Sequence, residues 1–293
     1  MKTHKRKWLG IAGVTLLFTG VFAGLRMIPI TQCEFLHYEP TAESIAGQTG
    51  EEELCSVAPV PFIDVTKTPF PVALDIHSIR DLDNGEVEIL FSIMGPDNSL
   101  LLPHDLAVTH ARRVHFMLID PSMQSYHHLH PEPLADSGDY RVRFKPRSNE
   151  YRYFAEFVPL QTRMLSVADG HLTVGGDNVI DGVQPTPIQL VLDGVQAPLR
   201  ANRDHTLKLK LKNSESGPLP LEETMNAYAH LVGFEDSLSG YAHMHPLTVD
   251  PVIGETAEME FLFHPTRPGN FRIWVQIRAN GEDIFRPFDV RVI

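Results

Sequence analysis

Val114 to Pro131 reads VHFMLIDPSMQSYHHLHP, and Ala229 to Pro246 reads AHLVGFEDSLSGYAHMHP. In each stretch a histidine is followed thirteen residues later by a second histidine, and fifteen residues later by a third that directly precedes a proline. Six of the eighteen aligned positions are identical, and four of these six are the histidines and the proline. Because three histidines seldom recur by chance at one spacing, this repetition indicates an internal duplication.

Each stretch is expected to fold as a β-hairpin that gathers its three histidines. The middle segments, DPSMQS and EDSLSG, are rich in turn-forming residues and separate two candidate strands. Side chains two residues apart on a strand share a face, and a residue on the facing strand lies about 5 Å away at Cβ. We therefore expect three imidazoles to converge on one point in each copy. The first triad is His115, His128 and His130, and the second triad is His230, His243 and His245.

The residue types of the triads point to a transition metal. Three imidazoles with an open fourth position form a known coordination pattern for zinc, and imidazole also suits copper. No cysteine lies near either triad, which excludes a blue-copper electron-transfer centre. We expect one three-histidine site per copy, with copper or zinc as the cofactor and copper favoured by export. Two alternatives stay open: a hydrogen-bonded polar seam without metal, and a pH switch.

Some prominent side chains do not follow the duplication. His110 and His127 have no histidine at the aligned position of the other copy, so we expect both to be surface residues outside the sites. Phe154 and Trp274 share an aligned position on the otherwise polar face of their strands. They either shield a site, form a domain contact or are ordinary partly exposed aromatic residues, and the pattern favours the last interpretation.

The correspondence extends beyond the histidine stretches. Phe144-Lys145-Pro146 aligns with Phe263-His264-Pro265, and YRYFAEF from Tyr151 aligns with FRIWVQI from Phe271. Short β-rich runs separated by turn residues, without a long 3.6-residue period, predict an all-β fold. We expect two tandem immunoglobulin-like or cupredoxin-like β-sandwiches. The first unit is residues 71–175 and the second unit is residues 186–293.

The N-terminus carries an export signal. Four basic residues among the first seven precede an apolar run from Trp8 to Leu25, which is nearly long enough to cross a bilayer. We expect residues 1–30 to be a signal anchor or transmembrane helix of the bacterial inner membrane, with the C-terminal domains in the periplasm. A cleaved signal and a secreted chain form the alternative. Residues 31–70 lack periodicity and are expected to be a linker.

Cysteine usage and charge narrow the function further. Cys33 and Cys55, the two cysteines of the chain, either form a disulfide in an oxidising compartment or are unrelated thiols. The net charge is −12 with no basic block beyond the first seven residues, which argues against nucleic acid as a partner. No GxSxG, phosphate-loop or HExxH motif is present, so we expect no enzyme.

The order of strand, histidine, turn, HxHP, F-x-P and aromatic strand resembles a small β-sandwich module of exported bacterial proteins. This module is loosely grouped with the YtkA-like and FixH-like heavy-metal-binding families, and the resemblance covers about residues 70–293 in two copies. It implies metal binding at both triads, and a role in periplasmic metal buffering, delivery or resistance. The partner would then act in metal delivery or in assembly of a respiratory complex. The alternative function is a non-catalytic interaction module of a membrane complex with structural histidines.

Overall fold

A computed structural model describes residues 13–22, 62–67, 71–135, 137–175, 186–247 and 251–293. Most of the assigned elements are strands, so the fold is all-β, as the sequence predicts. Residues 13–22 form a helix, and no helix in the described part of the chain is long and apolar enough to cross a membrane. The rest of the predicted anchor, residues 31–61 of the predicted linker, and both cysteines lie outside the described residues.

The first unit is built from two sheets, preceded in the chain by the short strand β1 (Ile63–Asp64). The first of these sheets has the order β2-β3-β8-β7, with β4 on β3, and the second has the order β10-β9-β5-β6. One hydrophobic core contains residues of both sheets, and Phe91 of β3 stacks on Phe116 of β5 with ring centroids 5.5 Å apart. The strands are β2 (Ala73–Asp81), β3 (Val87–Met94), β4 (Leu100–Leu101), β5 (His115–Ile119), β6 (Tyr126–Leu129), β7 (Glu132–Leu134), β8 (Asp139–Phe144), β9 (Glu150–Phe157) and β10 (Ser166–Thr173).

The second unit also has two sheets around one core. The strands are β11 (Ile188–Asp193), β12 (His205–Asn213), β13 (Leu221–Glu222), β14 (Ala229–Glu235), β15 (Gly240–Met244), β16 (Thr256–Phe263), β17 (Gly269–Ala279) and β18 (Glu282–Val292). One sheet has the order β11-β12-β16, and the other has the order β1-β15-β14-β17-β13, with β18 on β17. In β12, apolar residues alternate with lysines, so Leu207, Leu209 and Leu211 enter the core while the lysines face outward.

Both predicted hairpins are present, and they share the same register. The antiparallel pair β5–β6 places Met117 opposite His128, and the pair β14–β15 places Val232 opposite His243. In the first hairpin the buried Asp120 carboxylate accepts hydrogen bonds from the backbone N–H groups of three turn residues at 2.6–3.1 Å. The turn of the first hairpin therefore fixes how its two strands, and with them its histidines, face one another.

The end of the predicted linker belongs to the fold of the second unit. β1 pairs with β15, with Ile63 opposite Tyr241, and Phe62 and Val65 are buried. Gly240 permits this approach, because a Cβ at that position would lie 1.9 Å from the Ile63 carbonyl oxygen. The linker prediction is therefore wrong for residues 62–67, because Phe62 and Val65 are buried and β1 pairs with a strand of the second unit.

The two units contact each other through the sheet faces that carry the triads. Phe154 and Trp274 are 0% and 6% exposed in this contact, so the expectation that they are partly exposed is wrong. Tyr126 of the first unit stacks on Trp274, and Tyr241 of the second unit packs on Phe154, with ring centroids 5.7 and 5.1 Å apart. The aligned aromatic residues of the two units thus bury each other in a third hydrophobic cluster.

Candidate metal centre

The first triad converges as the sequence predicts. His115 begins β5, His128 lies on β6, and His130 follows that strand directly before Pro131. One ligand nitrogen from each ring lies within 4.8 Å of the other two, and the three ring-centroid distances are 5.1–5.5 Å. The hairpin register explains this convergence, because Phe116 opposite Leu129 brings the next residues, His115 and His130, face to face.

Two nitrogen lone pairs face each other in the first triad. His115 Nε2 lies 3.2 Å from the Thr109 carbonyl oxygen, and His128 Nδ1 lies 2.9 Å from Gln276 Oε1. Both oxygens can only accept, so each of these ring nitrogens carries the proton of its neutral imidazole. The other nitrogens, His115 Nδ1 and His128 Nε2, lie 3.3 Å apart. No hydrogen is left to join them, and a shared cation would satisfy both.

The second triad is more open than the first. His245 lies 4.8 Å from His230 and 4.7 Å from His243 between ring centroids, but His230 and His243 are 6.2 Å apart. Both ring nitrogens of His230 and Nε2 of His243 are buried and have no hydrogen-bond partner among the described residues. Leaving buried polar atoms unpaired is costly, so these nitrogens are candidates to bind a ligand.

The rings of the two triads lie close to one another, whereas the sequence predicts a separate site in each copy. The His243 ring lies 5.5 Å from His115 and 5.1 Å from His128 between centroids, and the His128 and His230 rings are 6.3 Å apart. Hairpin geometry alone places each triad on its own sheet. The face-to-face contact of the two units brings the sheets together and merges the triads into one histidine cluster.

Two polar residues on the central strands orient histidines of the opposite unit. Gln276 of β17 accepts the hydrogen bond from His128, and Glu156 of β9 lies 3.4 Å from His243 Nδ1 and accepts a 2.7 Å hydrogen bond from the Tyr241 hydroxyl. Glu156 and Gln276 occupy aligned positions of the duplicated strand. Sequence reasoning missed both, although a polar residue at the same place in two apolar strands was a readable signal.

His110 joins the cluster, so its assignment as a surface residue is wrong. Its ring stacks on His245 with centroids 3.6 Å apart, and it lies 6.2 Å from the His115 ring. A tight turn with positive φ at His110 and Ala111 positions it, and the aligned turn of the second unit has positive φ at Met225. Because the duplicate carries methionine there, the repeat pattern could not identify this histidine.

His127 lies outside the cluster, as expected, but it is not a surface residue. It sits on the other face of β6, half-buried against Phe144 and Tyr151 at ring-centroid distances of 5.0 and 5.6 Å. The alternation of side chains along a strand explains the difference from its neighbour His128, which points into the cluster.

Burial lowers the pKa of six histidines of the cluster, and each of these six is therefore neutral at pH 7. Removal from water, reinforced by neighbouring histidines, lowers the pKa of His115 to about 3 and that of His110 to about 4. Burial, together with the Arg112 charge, lowers the pKa of His130 to about 4. The pKa values of His128, His230 and His245 are lowered well below the usual range by the same desolvation. At neutral pH these rings therefore present lone pairs rather than protons.

Glu156 is the one carboxylate of the described residues that contacts a triad histidine through a hydrogen bond or ion pair. Burial by itself raises its pKa, but the neighbouring His243 and His115 and the hydrogen bonds from His243 and Tyr241 lower the pKa to about 2. The carboxylate is thus ionised at neutral pH although it is 7% exposed.

Comparison with known proteins gives a family match for the second unit. The family described as Domain of unknown function (DUF8832) matches residues 188–293. No curated protein matches the chain.

Two solved structures resemble the chain at 9% identity. One is Escherichia coli alpha-2-macroglobulin activated by porcine elastase, with a TM-score of 0.23 and coverage of 76% of this chain and 22% of that chain. The other is a DUF4785 family protein from Legionella pneumophila subsp. pneumophila str. Philadelphia 1, with a TM-score of 0.24 and coverage of 76% and 56%. The matched part is less than two thirds of either structure, and similarity at this level does not indicate a shared activity.

Proposed function

We propose that this chain is an exported protein that binds copper or zinc through its histidine triads and serves periplasmic metal buffering, delivery or resistance. The observation that carries the proposal is the pair of facing lone pairs on His115 Nδ1 and His128 Nε2, 3.3 Å apart. In a tetrahedral site with metal–nitrogen bonds of roughly 2.0–2.1 Å, two ligand nitrogens lie about 3.3–3.4 Å apart. The separation in the first triad fits that value.

The surroundings of the nitrogens support the same function. Neutral imidazole is the form that binds metal, and burial holds His115 and His130 in that form. A ligand histidine usually donates a hydrogen bond from its second ring nitrogen to a carbonyl, carboxylate or amide oxygen. The Thr109 and Gln276 oxygens accept such hydrogen bonds from His115 and His128. This arrangement behind the first triad supports metal binding.

The architecture and location belong to the same proposal. The units are proposed to be duplicated immunoglobulin-like or cupredoxin-like β-sandwiches, supported by the shared hairpin register of β5–β6 and β14–β15.

Residues 1–30 would anchor the chain in the bacterial inner membrane and leave both units in the periplasm, where a partner in metal delivery or respiratory assembly would meet them. Protease accessibility of the full chain in spheroplasts, compared with intact cells, tests this orientation.

Metal content of the full-length protein tests the function. Protein purified without added metal is analysed for elements, stripped with chelator, and titrated separately with Cu⁺, Cu²⁺ and Zn²⁺ in the presence of competing chelators. We expect at least one tightly bound equivalent in the wild type, and loss of that equivalent in the His115→Ala/His128→Ala variant. His127→Ala is the matched control, because this histidine lies on β6 but points away from the cluster.

Failure has a distinct signature. An interaction module with structural histidines would show trace metal at purification, no saturable binding in any titration, and a His115→Ala/His128→Ala variant whose main defect is loss of folding. That result would overturn the proposal for this site.

A further inference from the structure

We propose that His243 of the second unit is the fourth ligand of the metal held by the first triad, so that the site spans the contact between the two units. The inference rests on the proposed function and deepens it. It replaces two independent three-histidine sites with a primary site of four imidazoles, three from one unit and one from the other.

Ring positions support this assignment. When four imidazoles point at one tetrahedral metal with bonds of roughly 2.0–2.1 Å, their centroids lie about 5.2 Å apart. Within the first triad these separations are 5.1, 5.3 and 5.5 Å, and His243 adds separations of 5.5 Å to His115 and 5.1 Å to His128. Five of the six ring-centroid separations thus match the value expected for four imidazoles around one tetrahedral metal, and the ligand nitrogens of His115, His128 and His130 lie within 4.8 Å of one another.

The free nitrogen of His243 supports it independently. His243 is 2% exposed, its Nδ1 faces Glu156 Oε1, and its Nε2 is buried without a hydrogen-bond partner among the described residues. A carboxylate behind a histidine fixes the ring and makes the opposite nitrogen a stronger donor to metal. The arrangement therefore prepares Nε2 of His243 as a ligand.

The supporting residues cross between the units. Glu156, which orients His243, is opposite His115 in the β5–β9 pairing of the first unit. Gln276, which orients His128, is opposite His230 in the β14–β17 pairing of the second unit. Each unit thus positions a histidine of the other, an arrangement with no use if each triad acted alone.

Metal binding should then hold the two units together. The nitrogens of the first triad already lie within 4.8 Å of one another, whereas the fourth ligand arrives from the opposite sheet. A bound ion makes bonds to both β6 and β15, so separating the units would require breaking metal–ligand bonds. His230, His245 and His110 remain beside this site as a weaker, secondary group.

X-ray absorption of the full-length protein with one equivalent of Zn²⁺ tests the ligand count, and Co²⁺ absorption reports the geometry. We expect four imidazoles in the wild type and three in His243→Ala, with a 10- to 100-fold weaker Zn²⁺ affinity in the variant. Glu156→Gln tests the positioning role, and we expect it to keep four imidazoles while weakening affinity roughly 10- to 100-fold. His127→Ala should match the wild type in both measurements.

The outcomes separate this inference from the proposed function. Wild-type protein that binds Zn²⁺ through three imidazoles, with affinity unchanged in His243→Ala, would overturn the four-ligand site and leave metal binding intact. Absence of binding in the wild type would overturn the proposed function itself. If His243→Ala does not fold, the wild-type ligand count and Glu156→Gln decide the question.

Discussion

The two hairpins carry the same histidine pattern, yet their triads differ in ring spacing and in the charge of the neighbouring side chain. The rings of the first triad lie 5.1–5.5 Å apart and are supported by the neutral Gln276, whereas the second triad spreads to 6.2 Å and is supported by the ionised Glu156. The aligned histidines are the same in both hairpins, but the residue that supports them differs. The spacing of ligands shows where a metal can bind, but the supporting residues decide how the two halves share it.

The largest expected effect is on Zn²⁺ affinity, when two histidines are removed from one triad at a time. The two triads should then prove unequal. We expect His115→Ala/His128→Ala to lower Zn²⁺ affinity by at least about 1,000-fold, beyond the roughly 10- to 100-fold of a lost supporting residue, because it removes two primary ligands. We expect His230→Ala/His245→Ala to lower the affinity of the first equivalent about 10-fold. Competition titration with a chromophoric chelator measures both. Equal losses would mean that the triads are equivalent sites.

The second largest expected effect is a loss of stability when the aromatic contact between the units is removed. Trp274→Ala and Phe154→Ala should each lower the free energy of unfolding by about 3–5 kcal/mol, because each leaves a cavity among buried aromatic rings. Urea denaturation in the presence of chelator measures this. Val252→Ala is the control, since that side chain is 90% exposed. A small loss of unfolding free energy in both aromatic variants would show that the two units do not pack against each other in solution.

Exchanging Glu156 and Gln276 compares the supporting residues of the two triads while the net charge of the protein stays the same. Glu156→Gln alone should weaken Zn²⁺ binding roughly 10- to 100-fold, since it removes the carboxylate behind His243. The double variant Glu156→Gln/Gln276→Glu moves the carboxylate behind His128, and we expect its affinity to return to within about 10-fold of the wild type. Titration of the three proteins side by side decides it: a double variant as weak as Glu156→Gln would contradict a role for carboxylate support on either side.

The smallest expected effect is the contribution of one buried histidine, His115, to the pH dependence of the metal-free protein. Burial lowers the pKa of His115 to about 3, whereas histidine in an unfolded chain has a pKa of about 6.5. Between these values the unfolded chain takes up a proton that the folded chain does not. The free energy of unfolding should therefore fall as pH drops below about 6.5, by about 1.4 kcal/mol per pH unit for each such histidine, and should not depend on these groups above 6.5.

Urea midpoints at pH 7.5, 6.5 and 5.5 in the presence of chelator measure this dependence. His115→Phe removes one buried titrating group, so its stability should decline less steeply over the same range. Equal slopes in the two proteins would mean that His115 takes up its proton in the folded state. Protonation of Glu156 belongs to a more acidic range, because its pKa is lowered to about 2.

Much of the fold followed from local sequence pattern. Short β-rich runs between turn residues predicted the all-β fold, and β9 and β17 contain the two aligned stretches that begin at Tyr151 and Phe271. The short strands β1, β4, β7 and β13 escaped prediction because two or three residues carry no measurable period. β1 in particular depends on Gly240, which is distant in the sequence and whose missing side chain admits the extra strand.

For the candidate site, the sequence by itself determined which histidines come together in each hairpin. A strand alternates its side chains and a hairpin reverses direction at its turn, so the spacing of His115, His128 and His130 is enough to imply one meeting point. The tertiary structure alone decided that the triads face each other, that His110 joins them, and that Glu156 and Gln276 support histidines of the opposite unit. These relations arise from packing one sheet face on another, and residue spacing along the chain does not encode that contact.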